Sequence, residues 1–329
     1  MLLSLPSLID PSKPERGRAM GSSKVVVTGG AGFIGSHLTE ALLAAGHTVT
    51  ILDNLASGYV ENVHAGATLI QASATDPAQA ATAVAGADLV YHLAAVASVQ
   101  ASIDEPLSSH AACCTSALVV GDAARKAGVR RVVYAASASA YGIPSGPVQT
   151  EDEPLAPRST YAAGKLAGEM HLLALGETHG LETVRLRFFN VYGPRQRADS
   201  PYSGVIALFA NALLNGRTPT ILGDGLQTRD FVHVSDIVAA LVAAGTAPKA
   251  SGAVCNIGTG QATSLLDLLA TLAKVIGVSV TPQFGPVRQG DIRHSCANIS
   301  RARELLGFQP RMTLEHGLRD TIQWMRGRA

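Results

Sequence analysis

Four cysteines, one tryptophan and an aromatic content of only 5% in 329 residues leave several classes of protein without support. Cys113, Cys114, Cys255 and Cys296 form no CxxC pair and have no ligand-like spacing, so neither a metal site nor a disulfide framework is expected. Reduced thiols in a cytoplasmic protein fit best. Charged residues make up 16% of the chain, the net charge is +1 and no basic run stands out. That argues against nucleic acid or a membrane surface as the main partner. No apolar stretch approaches the roughly 18 residues needed to span a bilayer. What the chain does have is 47% hydrophobic residues and 33 glycines, a globular composition with ample length for a buried core in one large or two ordinary domains. Residues 1–22 stand apart: LLSLPSLI is short, is broken by Pro6 and leads to no cleavage-like site. They read as a disordered tail, or as an upstream extension before a second start at Met20.

The most informative stretch is 25–53, VVVTGGAGFIGSHLTEALLAAGHTVTILD. A β-branched run, Val25–Val27, leads into Gly29, Gly32 and Gly35, spaced GxxGxxG. An apolar stripe at Ile34, Leu38, Ala41, Leu42 and Ala45 then has helical spacing, and Thr48–Leu52 makes a second strand closed by Asp53. In such a unit the glycines allow a tight turn, close approach of backbone to a pyrophosphate and close helix–strand packing. The helix N-terminus offers free N–H groups and positive dipole to the phosphates. A carboxylate at the end of the second strand can accept from a ribose 2′-OH and repel a 2′-phosphate, which favours NAD over NADP.

Beyond Asp53, strands are expected at 68–71, 88–94, 131–137 and 183–189, with helical sequence between them and helices at 106–127 and 161–178. Strands alternating with helices predict a doubly wound parallel sheet of the Rossmann type. The expected division is a dinucleotide domain over 23–190 and a smaller C-terminal α/β substrate domain over 191–329. The stretch 229–258 could rejoin the first, because VCNIG (254–258) reads as a strand.

Tyr161 and Lys165 form YxxxK at a helix start, one turn apart on one face. A tyrosine is a poor base at its free pKa of about 10, and a lysine ammonium beside it favours the phenolate. Such a tyrosine suits abstraction of a hydroxyl proton while hydride leaves the same carbon.

With these residues the chain resembles the extended short-chain dehydrogenase/reductases, and within them the nucleotide-sugar (UDP-hexose) 4-epimerases. The resemblance runs from about Lys24 to the C-terminus. It rests on TGGAGFIG (28–35), YHLAA (91–95), SASAYG (137–142), YxxxK, RFFNVYGP (187–194), GDGLQTRDFVHVSD (223–236) and RQGDIRHS (288–295). It implies NAD as cofactor, bound by Gly29, Gly32, Phe33, Ile34, Gly35, Asp53, Asn54, Leu93, Ala94 and Ala95 together with Tyr161 and Lys165. It implies Ser137, Tyr161 and Lys165 as catalytic residues, and a UDP-sugar contacted by Asn190, Arg229, Arg288, Asp291 and Ser295. No metal and a homodimer complete the expectation. His233 and Asp236 are expected to tie loops together.

Three departures stand out. Ser73 replaces the family's usual Asp near the adenine, Cys113 and Ser116 replace the Asn and Gly of its VNVxGT segment, and Ala138–Ser139 replace the Asp-Glu pair of the dehydratases. Without that acid–base pair, elimination of water has no catalyst, so epimerisation leads. UDP-glucuronate epimerase or decarboxylase is the alternative within the enzymes, and a non-catalytic dinucleotide-sensing scaffold the alternative outside them. Ser295 stands where hexose-only relatives carry Tyr, which leaves volume for an N-acetyl group.

Overall fold

The computed structural model describes residues 22–197, 204–287 and 292–327. Runs of β-branched and aromatic residues form six parallel strands: β1 (Lys24–Thr28), β2 (Thr48–Asp53), β3 (Thr68–Gln71), β4 (Leu89–His92), β5 (Arg131–Ser137) and β6 (Glu182–Phe188). A seventh strand, Val254–Ile257, pairs parallel with β6, so the order across the sheet is β3-β2-β1-β4-β5-β6-Val254–Ile257. The C-terminal stretch therefore does return a strand to the central sheet.

The sheet is buried on both faces, and the two-residue period of its strands sorts alternate side chains between two cores. Val25, Val27, Leu89, Tyr91 and Val133 pack with α1 (Phe33–Ala44) and with the helix Val234–Thr246. Val26, Val90, Val132 and Tyr134 face the other way, toward α2 (Pro77–Val84) and the helices Ser116–Lys126 and Thr160–His179. A third cluster holds Ile206, Phe209, Leu268, Leu272, Leu318 and Ile322, from the helices 205–214, 265–276 and 314–326. These pack beside the short strands of the C-terminal region.

Two local departures bear on the site. The helix expected over 106–127 is a Pro106–His110 segment, a π-type turn at Ala111–Thr115 and the helix Ser116–Lys126. The helix Thr160–His179 starts at Ser159, whose hydroxyl accepts from the Ala162 N–H, and stops at Gly180 in the left-handed region. Because β1 lies between β2 and β4, the sheet order reverses direction there. The crevice at the carboxyl ends of β1 and β4 is where such folds take ligands.

Candidate active site

The turn after β1 is shaped by what a side chain would hit. Gly29 has φ 73°, and a Cβ there would meet the Ala94 nitrogen at 2.8 Å; one on Gly35 would collide with the Gly29 carbonyl oxygen. Gly32 caps α1 with no side-chain hydrogen bond, so the first-turn N–H groups of Phe33, Ile34 and Gly35 face the crevice without side-chain partners. Asp53 ends β2 buried: one carboxylate oxygen accepts from the Ala31 N–H at 3.0 Å and the other from the Leu55 N–H at 2.8 Å. It thus braces the glycine turn, and each oxygen retains a lone pair for a further donor. Asn54 is exposed beside it, its side-chain oxygen accepting from the Ala56 N–H. On the other bank, Leu93, Ala94 and Ala95 are half-buried, and Thr28 accepts from the Leu93 and Ala94 N–H groups. A small concave backbone cradle, an uncapped helix N-terminus and a carboxylate at the end of β2 fit a dinucleotide pyrophosphate and ribose. Ser73 turns inward locally, its hydroxyl accepting from the Thr75 N–H.

Ser137 ends β5 and Tyr161 opens the next long helix. The Ser137 hydroxyl accepts from the Ser139 N–H, shares a 2.8 Å hydrogen bond with the Ser139 hydroxyl, and stands near the Tyr161 phenol. Burial pushes the Tyr161 phenol up to about 12; the neighbouring Cys113 acts in the same direction and Ser137 against it. Lys165 is buried and its ammonium donates to the Ala135 carbonyl at 2.7 Å. Burial pushes its pKa down, against the pull of Cys113. In the chain by itself, one donor of the Lys165 ammonium is held by the β5 backbone and burial keeps the Tyr161 phenol above its ordinary value.

On the far side, Asn190 is exposed just after β6, its N–H donating to the Asp230 carbonyl. Arg229 is half-buried and donates to the Thr228 carbonyl, and the Ser295 N–H donates to that same carbonyl. The backbone thus brings Ser295 against the Thr228–Arg229 strand and Asn190 against Asp230. Arg288 and Asp291 lie outside the described residues. Next to this region is a cavity of about 640 Å³ lined by Leu222, Gln227, Phe284, Val287 and the ion pair of Asp224 with Arg293. That pair is bidentate, at 2.7 and 2.9 Å. Asp236 ties segments together by accepting from the Arg311 and Met312 N–H groups, whereas the His233 ring caps its own helix by accepting from the Ser235 N–H and has its other nitrogen 3.3 Å from the Asp320 carboxylate.

Sequence reasoning missed two buried supports. Asp230 is fully buried; its oxygens accept from the Thr259 N–H and hydroxyl, the Gly260 N–H and the Ala297 N–H. Burial raises its pKa while these donors pull it back. Arg187 and Glu169, both buried, form a two-pronged ion pair at 3.0 and 2.7 Å, and Arg187 also donates to the Tyr141 hydroxyl. Tyr141 donates to Asn256, which donates to the Gln149 carbonyl; Gln149 in turn accepts from the Cys296 N–H. This chain ties the Tyr161 helix to the Ser295 segment. Breaking a buried ion pair typically costs about 3–5 kcal/mol. The signal available in advance was two arginines, Arg185 and Arg187, inside a strand of the central sheet, where a buried charge is tolerated only when paired.

A doubly wound sheet, a glycine cradle at its switch point and a Ser–Tyr–Lys set at the same edge define a dinucleotide-dependent enzyme of the short-chain dehydrogenase type. The chain matches the NAD dependent epimerase/dehydratase family over residues 25–258 and belongs to it. It is 41% identical over 317 residues to the UDP-glucose 4-epimerase of Mycolicibacterium smegmatis, covering 93% of this chain and 99% of that one. Among solved structures it resembles the UDP-glucose 4-epimerase of Thermotoga maritima with UDP-glucose. That likeness has a TM-score of 0.89 and 36% identity, covering 93% and 99% of the two chains. It also resembles the UDP-N-acetylglucosamine 4-epimerase of Methanobrevibacter ruminantium in complex with UDP-N-acetylmuramic acid (TM-score 0.90, 36% identity, 94% and 100% covered). Among the described residues no group of His, Cys, Asp and Glu is arranged to hold a metal ion, and no helix is long and apolar enough to cross a membrane.

Proposed function

We propose that this chain is an NAD-dependent UDP-sugar 4-epimerase, acting on UDP-glucose and UDP-galactose and on their N-acetyl forms through a transient 4-keto sugar. The observation that carries the reading is the placement of Ser137 beside the Tyr161 phenol at the carboxyl edge of β5, in a chain whose relatives include UDP-sugar 4-epimerases. Gly29, Gly32, Phe33, Ile34 and Gly35 would hold the pyrophosphate of NAD, Asp53 and Asn54 its ribose, and Leu93–Ala95 the other bank. NAD bound there would supply a reversible hydride acceptor. Tyr161 takes the proton of the C4 hydroxyl and later gives it back, while Ser137 holds the reacting oxygen by hydrogen bonding. A phenol at about 12 needs positive charge nearby to act as a base, and Lys165 is the resident cation. Asn190, Arg229 and Arg288 grip the nucleotide diphosphate and Asp291 the nucleotide's ribose, leaving the hexose free to turn.

Ser139 hydrogen-bonds Ser137 and offers no acid–base pair, which supports epimerisation over dehydration. UDP-glucuronate epimerisation or decarboxylation is the second reading. Arg293, the cation that would favour a C6 carboxylate, is held by Asp224, and this supports the neutral hexose. Incubation with UDP-glucose, UDP-N-acetylglucosamine and UDP-glucuronate, read by NMR, tests the reading. The expected products are C4 epimers of the first two, without added cofactor. A protein that needs stoichiometric NADPH, or that turns over only the uronate, would sink it; one that binds UDP-sugar without ever reducing its cofactor would be the scaffold.

A cytoplasmic homodimer completes the proposal. Ile103, Leu107, Leu118 and Met170 are exposed on the helices 99–104, 106–110, 116–126 and 160–179, with Leu107 at 85%. Such an apolar helical face suits a second copy. Light scattering at micromolar concentration should give a dimer mass; a monomer there would remove this part of the proposal.

A further inference from the structure

Beneath Lys165 lies a residue that none of the motifs assigns. Tyr134 of β5 is fully buried, and its ring centroid is 4.8 Å from the Lys165 ammonium. Its hydroxyl reaches under the helix and donates to the carbonyls of Lys165 itself, at 3.2 Å, and of Cys113, at 3.4 Å. Space for that hydroxyl exists because residue 168 is glycine: a Cβ there would stand 2.6 Å from it. The ring also stacks on His92, with centroids 5.6 Å apart. His92 stays neutral, since burial and then the Lys165 charge push its pKa down to about 3. A consistent proton arrangement follows in which Thr28 donates to His92 Nδ1, Nε2–H donates to Ser116, and Ser116 donates to the Ala112 carbonyl. The Tyr134 ring thus contacts both the cation and the neutral imidazole, with a hydrogen-bonded anchor at its base.

We propose that Tyr134 is a positioning residue for Lys165, its ring face holding the ammonium. A cation over an aromatic face is stabilised most where water is excluded, so the ring opposes the desolvation that favours the neutral amine. Besides Tyr134, the groups around Lys165 are His92 of β4, which is neutral throughout, Cys113 of the 111–115 turn, and Tyr161 one turn earlier on its own helix. Glu169, one turn later, is engaged by Arg187. The inference rests on the catalytic reading of Lys165 given above.

Lysines labelled with ¹³C at Cε report the geometry directly, without turnover. In the wild-type protein the Lys165 signal, assigned through Lys165→Met, should be shifted upfield by the ring. The shift should persist in Tyr134→Phe and vanish in Tyr134→Leu, and in the leucine variant Lys165 should titrate about one pH unit lower. The alkaline limb of kcat should move down by the same amount in Tyr134→Leu and stay in place in Tyr134→Phe, with KM for UDP-sugar nearly unchanged. A wild-type Lys165 signal at an ordinary position, or equal displacement in both variants, overturns the proposal, and the wild-type measurement stands even if the leucine variant does not fold. Full turnover by Lys165→Met would instead overturn the catalytic reading and leave the ring–ammonium contact to the NMR result.

Discussion

The bank of the crevice formed by β1, α1 and β2 comes from consecutive residues 24–53, whereas the bank around Asp230 draws on segments near residues 149, 229, 259 and 297. The first is shaped by backbone: glycines that nothing larger could replace, a bare helix N-terminus and one carboxylate that braces the turn. The second is shaped by buried side chains that collect backbone donors from far along the chain, Asp230 and Gln149 foremost. A cofactor that stays bound through every turnover suits a cradle closed by short-range contacts. A substrate whose sugar must turn suits a site assembled from several segments that can differ between relatives. Between the banks stand Ser137, Tyr161 and Lys165, linked to the second through Glu169 and Arg187.

The largest expected effect falls between the two banks and should leave both intact. Tyr161→Phe removes the hydroxyl but keeps the ring, so turnover should fall by about 10²–10⁴. Affinity for UDP-sugar by calorimetry, and bound NAD, should survive. Near-normal turnover would remove Tyr161 from the site.

Breaking the cofactor bank comes next. Gly35→Ala drives a methyl into the Gly29 carbonyl and the Gly30 Cα, both backbone, so the turn must open. Released NAD, quantified after denaturation, should drop from near-stoichiometric to a small fraction. Gly46→Ala is the control: at φ 83° it is strained by about 1–2 kcal/mol but has open space around it. It should lose stability while keeping its cofactor, and equal loss of NAD from both would show that the cradle's shape is not what retains it.

The same contrast explains what could be read in advance. The Gly29–Gly35 turn and Asp53 were legible because their partners lie within one βαβ unit, where period and spacing carry the geometry. The strands 131–137 and 68–71 were legible from β-branched and apolar runs. Asp230, Gln149 and Asn256 were not, because their partners lie dozens of residues away and a polar residue in a loop-rich stretch looks the same whether buried or exposed. Lys165 was legible in position only. Helical spacing placed it one turn from Tyr161, whereas its contacts with the Ala135 carbonyl and the Tyr134 ring, both from β5, lie outside what spacing carries. The π-type turn at 111–115 was invisible because its alanines and cysteines suit a regular helix equally well.

Sharpening the substrate bank calls for a residue that shapes the pocket without holding it together. Ser295 is half-buried, and its N–H is tied to Thr228. Ser295→Tyr fills the proposed N-acetyl volume and leaves that backbone bond in place. UDP-N-acetylglucosamine should lose about 10–200-fold in kcat/KM relative to UDP-glucose, the scale of such pocket discriminations. Parallel loss of both activities, or rejection of N-acetyl sugars by the wild type, would show that Ser295 does not govern the choice.

The smallest effect concerns the Asp224–Arg293 pair at the cavity. Its two side chains are half exposed, so screening by water makes it a weak contributor to stability. Hydrogen bonds from Arg293 and then from the Leu226 N–H hold the Asp224 carboxyl at about 2, below the roughly 3.9 of an unfolded chain. Because the folded value is the lower one, the interaction is fully present above pH of about 4 and is lost as pH falls through 2. Neutral-pH assays therefore see Arg293 with its charge opposed. Asp224→Asn removes that opposition while keeping the side chain's size and an oxygen for the Leu226 N–H. If the pair is what disfavours a uronate, turnover of UDP-glucuronate relative to UDP-glucose should rise a few-fold, and added salt should shrink the gain. A ratio that does not move would mean that Arg293 does not face the sugar and that rejection of the carboxylate lies on the Ser295 side of the pocket.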